Sequence, residues 1–374
     1  MSFLKALSRR LAFGGAFLRI AAYDTAEAQA EQTTCYLAAR AFRPLAFEAA
    51  GFPTRVKRES HLAHYCDIMN EFVDRRVLLL EPRYPEYTRS AVETITSAVL
   101  EISANRFQRR VHPFLSLLQP IPLACVIYAL GKAHRIPALR VFEVGSGAGY
   151  LGALLALFGH HYCSMEPTQA LFIWQDRLYR ALFGTAFRQT AGQPAPASFD
   201  DRIIAIPWWH FATAYRRPIP DGDIVVCDRA MGEMTRFALE YLAKYAAVTL
   251  ARSPVGAFLF THIGEPRLNS APEVETVLER AGFVQAQMSP VHIYVLRNKY
   301  DADPDKVARC IEQASTIGLK GELRGIDLVA PALDLIQESH AFAEFIGRHS
   351  DASLQDLLGA LSFKKSPKLS ANGR

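Results

Sequence analysis

Leu139-Arg140-Val141-Phe142-Glu143-Val144-Gly145-Ser146-Gly147-Ala148-Gly149-Tyr150-Leu151-Gly152 is the stretch that decides how this 374-residue chain reads. Apolar Val141, Phe142 and Val144 make a short strand, which breaks into glycines. An apolar helical pattern follows from Leu151 to Phe158, closed by Gly159 in the helix-stop position. Strand, tight turn and helix in this order form the ligand-binding turn of a doubly wound α/β sheet. Glycine is needed there because the backbone reverses sharply and lies close to a ligand, where a Cβ would intrude. The new helix then points unpaired amides at whatever sits above the turn.

Two registers of the glycines are open. From Gly147, Gly-Ala-Gly-Tyr-Leu-Gly fits G-x-G-x-x-G, the dinucleotide fingerprint of an NAD(P)-dependent oxidoreductase. From Glu143, the run Glu-Val-Gly-Ser-Gly-Ala-Gly puts an acid two residues before the first glycine, and this resembles motif I of the class I S-adenosyl-L-methionine (SAM)-dependent methyltransferases. That resemblance implies that Glu143, Gly145, Ser146, Gly147 and Gly149 lie around the methionine end of SAM. A carboxylate suits a ligand carrying an ammonium and a sulfonium and repels a pyrophosphate. Glu143 therefore favours SAM over NAD.

The strand–helix alternation continues downstream. His161–Met165 is the next strand and ends in Glu166, which lies 19 residues beyond Gly147, where either nucleotide fold places an acid for ribose hydroxyls. Pro167 fits the first position of a helix that carries Trp174, Leu178 and Leu182 on one face and stops at Gly184. Residues 185–200, rich in Ala, Pro, Gly and Gln, read as a loop. Arg202–Ile206 is the third strand. The resemblance places its end against adenine, so Trp208 or Trp209 is expected to stack on that base.

Asp223–Cys227 is the fourth strand, followed by Asp228-Arg229-Ala230-Met231-Gly232-Glu233-Met234. This is the place of the family's motif IV. The Asn/Asp-Pro-Pro-aromatic form of many amino-methylating enzymes is absent, and Gly232-Glu233-Met234 instead resembles the sugar O-methyltransferases over a short span. Gly256–His262 is the fifth strand and Pro272–Ala281 a helix. Phe283–Met288 and His292–Arg297 are too close for a helical crossover and must pair antiparallel. An NAD domain continues with parallel strands, so this ending again favours the methyltransferase. The expected fold is α/β: a doubly wound, mostly parallel seven-stranded sheet with an antiparallel last strand and helical additions at both ends.

Four regions follow: a helical N-terminal part (1–137) covering the substrate, a SAM-binding domain (138–300), C-terminal helices (301–362) and a solvated tail (363–374). Residues 1–137 hold 18 Lys+Arg against 12 Asp+Glu, although the whole chain carries only +5. Arg75, Arg76, Arg83, Arg89, Arg106, Arg109, Arg110 and His112 form a reserve of groups for an acidic acceptor. Ser90 with Glu93 reads as a capping box. Six cysteines without C-x-x-C spacing indicate a reducing compartment, taken as the cytoplasm, with neither disulfides nor structural zinc. No apolar run reaches membrane-spanning length, and no dense basic stripe suggests nucleic acid.

Methyl transfer to an alcohol needs alignment and a general base within hydrogen-bond reach. The strand-end candidates are His262, Glu233, Asp228 and His210, with His262 favoured because imidazole titrates in the useful range. Asp228 also counts among the cofactor contacts, beside Glu166, Trp208 and Trp209. No metal site is expected. The sequence thus indicates an O-methyltransferase acting on a small molecule, acidic or glycosylated, with a homo-oligomer permitted. A SAM-fold binding protein without turnover is the other class.

Overall fold

The computed structural model describes residues 17–34, 42, 44, 54–63, 86–107, 117, 119–217, 219–264, 268–287 and 291–297. The predicted C-terminal helices, the tail and the segment holding Arg75, Arg76, Arg83, Arg109, Arg110 and His112 lie outside these residues.

Eight strands form one sheet: β1 (Arg140–Val144), β2 (His161–Glu166), β3 (Phe187–Gln189), β4 (Ile203–Pro207), β5 (Ile224–Val226), β6 (Ala257–Phe260), β7 (Phe283–Gln287) and β8 (His292–Leu296). Their spatial order is β3-β4-β2-β1-β5-β6-β8-β7, with β8 antiparallel to both of its neighbours and the other pairings parallel. Without β3 this is the expected seven-stranded layout with its antiparallel close. The eighth strand comes from the stretch expected to be loop. Phe187 is buried there and Gln189 pairs with Ala205 on β4. Three residues are too few to show a periodicity in sequence.

The described helices are α1 (Ile20–Thr33), α2 (Glu86–Phe107), α3 (Ile121–Ala133), α4 (Tyr150–Leu157), α5 (Gln169–Phe183), α6 (Trp208–Ala212), α7 (Arg236–Leu250) and α8 (Ala271–Arg280). Helix α4 is buried almost all round, as its unbroken apolar sequence requires, and ends before Gly159 at φ 98°. Ser90 lies inside α2 and caps nothing. The capping box sits instead at Ser270 and Glu273, at the start of α8. Helix α5 begins two residues later than Pro167 suggests, with Thr168 in the capping position.

Side chains alternate across a strand, and this sorts β1 and β2. Phe142 points to one face, where it meets Phe199, Phe211 of α6 and Tyr245 of α7. Glu143, Tyr162 and Ser164 point to the other face, which α4 and α5 cover. The N-terminal part is tied to this second layer. Leu18 N donates to Asp176 at 2.9 Å, and buried Arg177 donates to Leu18 O at 2.9 Å and to Glu59 at 2.6 Å. Strand β1 has β2 on one side and β5 on the other, so the strand order reverses at β1, and an open α/β sheet leaves a crevice at its carboxyl end.

Candidate active site

The elbow after β1 occupies that crevice. Gly145, Gly147 and Gly149 all have positive φ (75°, 55° and 78°), which explains three glycines in five residues. They are not equivalent. A Cβ on Gly149 would meet Tyr179 Oη at 2.4 Å, and one on Gly145 would meet Ala230 at 2.9 Å. A Cβ on Gly147 would meet nothing within 4 Å. Gly145 and Gly149 are thus required by packing, whereas Gly147 faces open space.

That space is a cleft of about 220 Å³, roughly fifteen times what one water molecule needs. A second hollow beside Trp208 and Arg55 measures about 20 Å³, room for one water. The large cleft is lined by the whole elbow, Glu143 and Glu166 at the ends of β1 and β2, and Asp228, Arg229 and Glu233 after β5. Phe42, Pro44, Gln119 and Pro120 close it from the N-terminal part. Of the described N-terminal basic residues, Arg89 and Arg106 do not line it.

Glu143 and Glu166 are both buried. Tyr162 donates a short hydrogen bond to Glu143. Burial pushes the Glu143 carboxyl up to about 8. The Tyr162 hydroxyl opposes this rise, and the charges of Asp228 and Glu166 add to it. Glu166 accepts from Gly147 N at 2.7 Å and from Thr168 N at 2.8 Å. Burial still pushes it up to about 7, against those donors. Among the described residues lining the cleft, the one basic side chain, Arg229, is half exposed and lies 3.7 Å from Asp228. A cleft with two buried acids and, among the described residues, no buried cation fits a cationic ligand and disfavours a pyrophosphate. This charge pattern matches SAM.

The structure brings together Glu143, Gly145, Ser146, Gly147, Gly149, Glu166, Asp228 and Glu233, and separates the other candidates from them. Trp208 and Trp209 do not line the cleft. The turn from β4 into α6 swings both rings against α1, where Trp208 Nε1 donates to Glu27 at 2.8 Å and Trp209 meets Tyr23 edge-on at 5.2 Å. His210 is also elsewhere: its Nε2 donates to the carbonyls of Thr190 and Gln193, at 3.1 and 2.9 Å, holding the β3–β4 connection. His262 is exposed and off the cleft, and its Nδ1 accepts from Gly264 N at 3.0 Å. Its backbone, not its ring, serves the site. Asp228 Oδ1 accepts from Thr261 N at 2.7 Å, Thr261 Oγ1 at 2.7 Å and His262 N at 3.2 Å, which fixes that carboxylate.

Sequence reasoning passed over Gln175 on α5, which is fully buried and hydrogen-bonds both Ser146 and Gly147. A signal exists: Gln175 interrupts an apolar face between Phe172 and Leu178. Arg229 was also missed. It has φ 59°, rare for a residue with a side chain, and is held by Arg229 N donating to His262 O at 2.7 Å. Among the described residues, no group of three His, Cys, Asp or Glu is arranged to hold a metal, and no helix is long and apolar enough to cross a membrane.

Comparison with known proteins agrees with this geometry. The chain is 30% identical over 149 residues to a protein-L-isoaspartate O-methyltransferase of Chlorobium phaeobacteroides, a match spanning 36% of this chain and 68% of that enzyme. The chain belongs to the SAM-dependent methyltransferase family that includes this enzyme. The enzyme of the same name from Cronobacter sakazakii is 33% identical over 98 residues, spanning 24% of this chain and 46% of its own length. No family model matches. Among solved structures, a TehB-like SAM-dependent methyltransferase from Corynebacterium glutamicum aligns with TM-score 0.32 and 14% identity, over 46% of this chain and 88% of its own. Magnesium protoporphyrin IX methyltransferase from Synechocystis PCC 6803 with bound SAH aligns with TM-score 0.32 and 11% identity, over 48% of this chain and 83% of its own. In this methyltransferase the cofactor is SAM.

Proposed function

We propose that this methyltransferase transfers the methyl group of SAM to a hydroxyl of a small molecule, a sugar or a glycosylated compound. The observation that carries the reading is that Asp228 and Glu233 line the same cleft as the elbow, across β1 from Glu166. SAM supplies a methyl group on a sulfonium, an electrophile with its leaving group already prepared. The chain contributes the rest. Glu143 offers negative charge to the cationic end and Glu166 offers acceptor oxygens to the ribose. Phe42, Pro44 and Phe211 keep water from the reacting atoms. An alcohol holds its proton too tightly to attack at neutral pH. Glu233, which lines the cleft after β5, is the group assigned to take that proton.

A second reading, methylation of a protein carboxylate, draws on the names of the sequence relatives and on Arg229, which could pair with an acidic acceptor. A carboxylate needs no base, and Asp228 and Glu233 would repel it. The alcohol reading therefore stands first. Transfer of radiolabelled methyl from SAM to a panel of glycosides and to an isoaspartyl peptide separates the two. Labelled glycoside with unlabelled peptide supports the alcohol reading; the reverse pattern overturns it.

A further inference from the structure

Asn269 does not line the cleft, yet it is buried against the loop that carries Glu233. Its Nδ2 donates to Met231 O at 3.0 Å and to Met234 O at 2.7 Å. Both carbonyl oxygens only accept, so the amide has one orientation and both of its hydrogens are used. The backbone adds to this grip. Leu268 N and Asn269 N donate to Gly232 O at 2.8 and 3.2 Å, and Gly232 N donates to Ile263 O at 2.6 Å. The carbonyls of Met231, Gly232 and Met234 are thus all held by the chain between β6 and α8.

That hold has a firm base. Ser270, next in sequence, belongs to the capping box of α8, where its N and Oγ each donate to Glu273 at 2.7 Å. Met231, which opens the short turn Met231–Glu233, is fully buried, so water does not replace bonds lost there. The start of α7 does not need Asn269, because Thr235 already caps it by accepting from Ala238 N at 3.2 Å. What the additional bonds fix is the turn that ends in Glu233, a residue lining the cleft.

We propose that Asn269 is a positioning residue for methyl transfer: by gripping Met231 O and Met234 O it sets where the Glu233 carboxylate stands relative to the acceptor hydroxyl. The proposal rests on the reading of Glu233 as the base. A base must stand within about 2.6–3.2 Å of the group whose proton it takes. A displacement of about 1 Å costs about a hundredfold in rate. Asn269→Asp keeps the shape but turns a donor into an acceptor facing two carbonyl oxygens, and Asn269→Ala removes the donors without that repulsion.

The test is a double-mutant cycle between positions 269 and 233. Its readouts are kcat for transfer of radiolabelled methyl from SAM to a panel of glycosides and the calorimetric affinity for SAM. With Glu233 in place, Asn269→Asp and Asn269→Ala should lower kcat by about tenfold to a hundredfold. Affinity for SAM should change by about twofold or less. In the Glu233→Gln background the same two substitutions should change kcat by about twofold or less, because no base is left to misplace. Equal losses in both backgrounds, or an unchanged kcat in Asn269→Ala, overturn the positioning role. Where Asn269→Asp alone loses SAM binding, Asn269→Ala carries the comparison. Loss of SAM binding in both variants shows that Asn269 holds the fold rather than the base, and overturns it too. An unchanged kcat in Glu233→Gln alone instead removes the base reading and the proposal with it, and transfer to no glycoside removes the alcohol reading.

Discussion

Gly147 N donates to Glu166 Oε2 across 2.7 Å, so the acid ending β2 holds the turn that leaves β1. The other carboxylate oxygen takes Thr168 N, at the start of α5. One side chain thus sets the elbow and the next helix, in a cleft where it also remains available to ligand.

Glu166→Ala should leave both amides without their acceptor and lower stability by about 1–3 kcal/mol, read as a shift in urea midpoint. SAM affinity should fall with it. Glu166→Gln keeps an acceptor oxygen for only one of the two amides and should lie between. Equal stability of all three chains would show that the amides find other partners.

The elbow glycines should separate stability from binding. Gly147→Ala puts a methyl group into open space, so its folding penalty is limited to the left-handed backbone, about 1–2 kcal/mol, while the methyl intrudes where SAM lies. Gly149→Ala adds a clash with Tyr179 Oη at 2.4 Å, and Gly152→Ala meets the Tyr162 ring at 2.2 Å. Thermal melting should rank Gly147→Ala as the mildest of the three, and calorimetry should nevertheless find its SAM binding abolished.

Affinity for SAM should rise with pH. Glu143 and Glu166, held up to about 8 and about 7, must lose protons to complement a cation, so binding releases protons below those values and strengthens as pH climbs through them. The rise is best read between about pH 6 and 7.5, below the ordinary α-amino range of about 7.7–8.0. Titration in buffers of different ionisation enthalpy measures the protons released. Without ligand the sign reverses. The folded chain binds more protons than the unfolded one between the ordinary carboxyl range and these raised values, so these two groups make stability fall as pH rises across that window.

Tyr162→Phe should raise Glu143 further, because the hydroxyl is the hydrogen bond that favours its ionised form. The pH at which SAM affinity rises should move upward in this variant. An unmoved curve would mean that Glu143 does not govern the titration.

Replacing the candidate bases tests where the proton goes. Glu233→Gln should lower the rate of methyl transfer by about 10²–10⁴-fold with SAM affinity retained. His262→Ala and His210→Ala should leave the rate within a few-fold, since neither ring lines the cleft. A collapse of transfer in His262→Ala would return the role of base to that histidine.

The sequence alone determined seven of the eight strands, the elbow and the acid before it, because these are local: an apolar run must become a buried strand, and a turn at positive φ favours glycine. Spacing located Glu166, since a strand–helix–strand unit has a nearly fixed length. The roles of Trp208, Trp209, His210 and His262 were not legible, because each follows a strand end at a position where a single turn of backbone decides which way the side chain leaves. Only the tertiary structure sends the tryptophans to α1 and His262 to solvent. Gln175 shows the same limit from the other side. Its neighbours Ser146 and Ser164 are 29 and 11 residues away, and a hydrogen bond's direction exists only once all three are packed together.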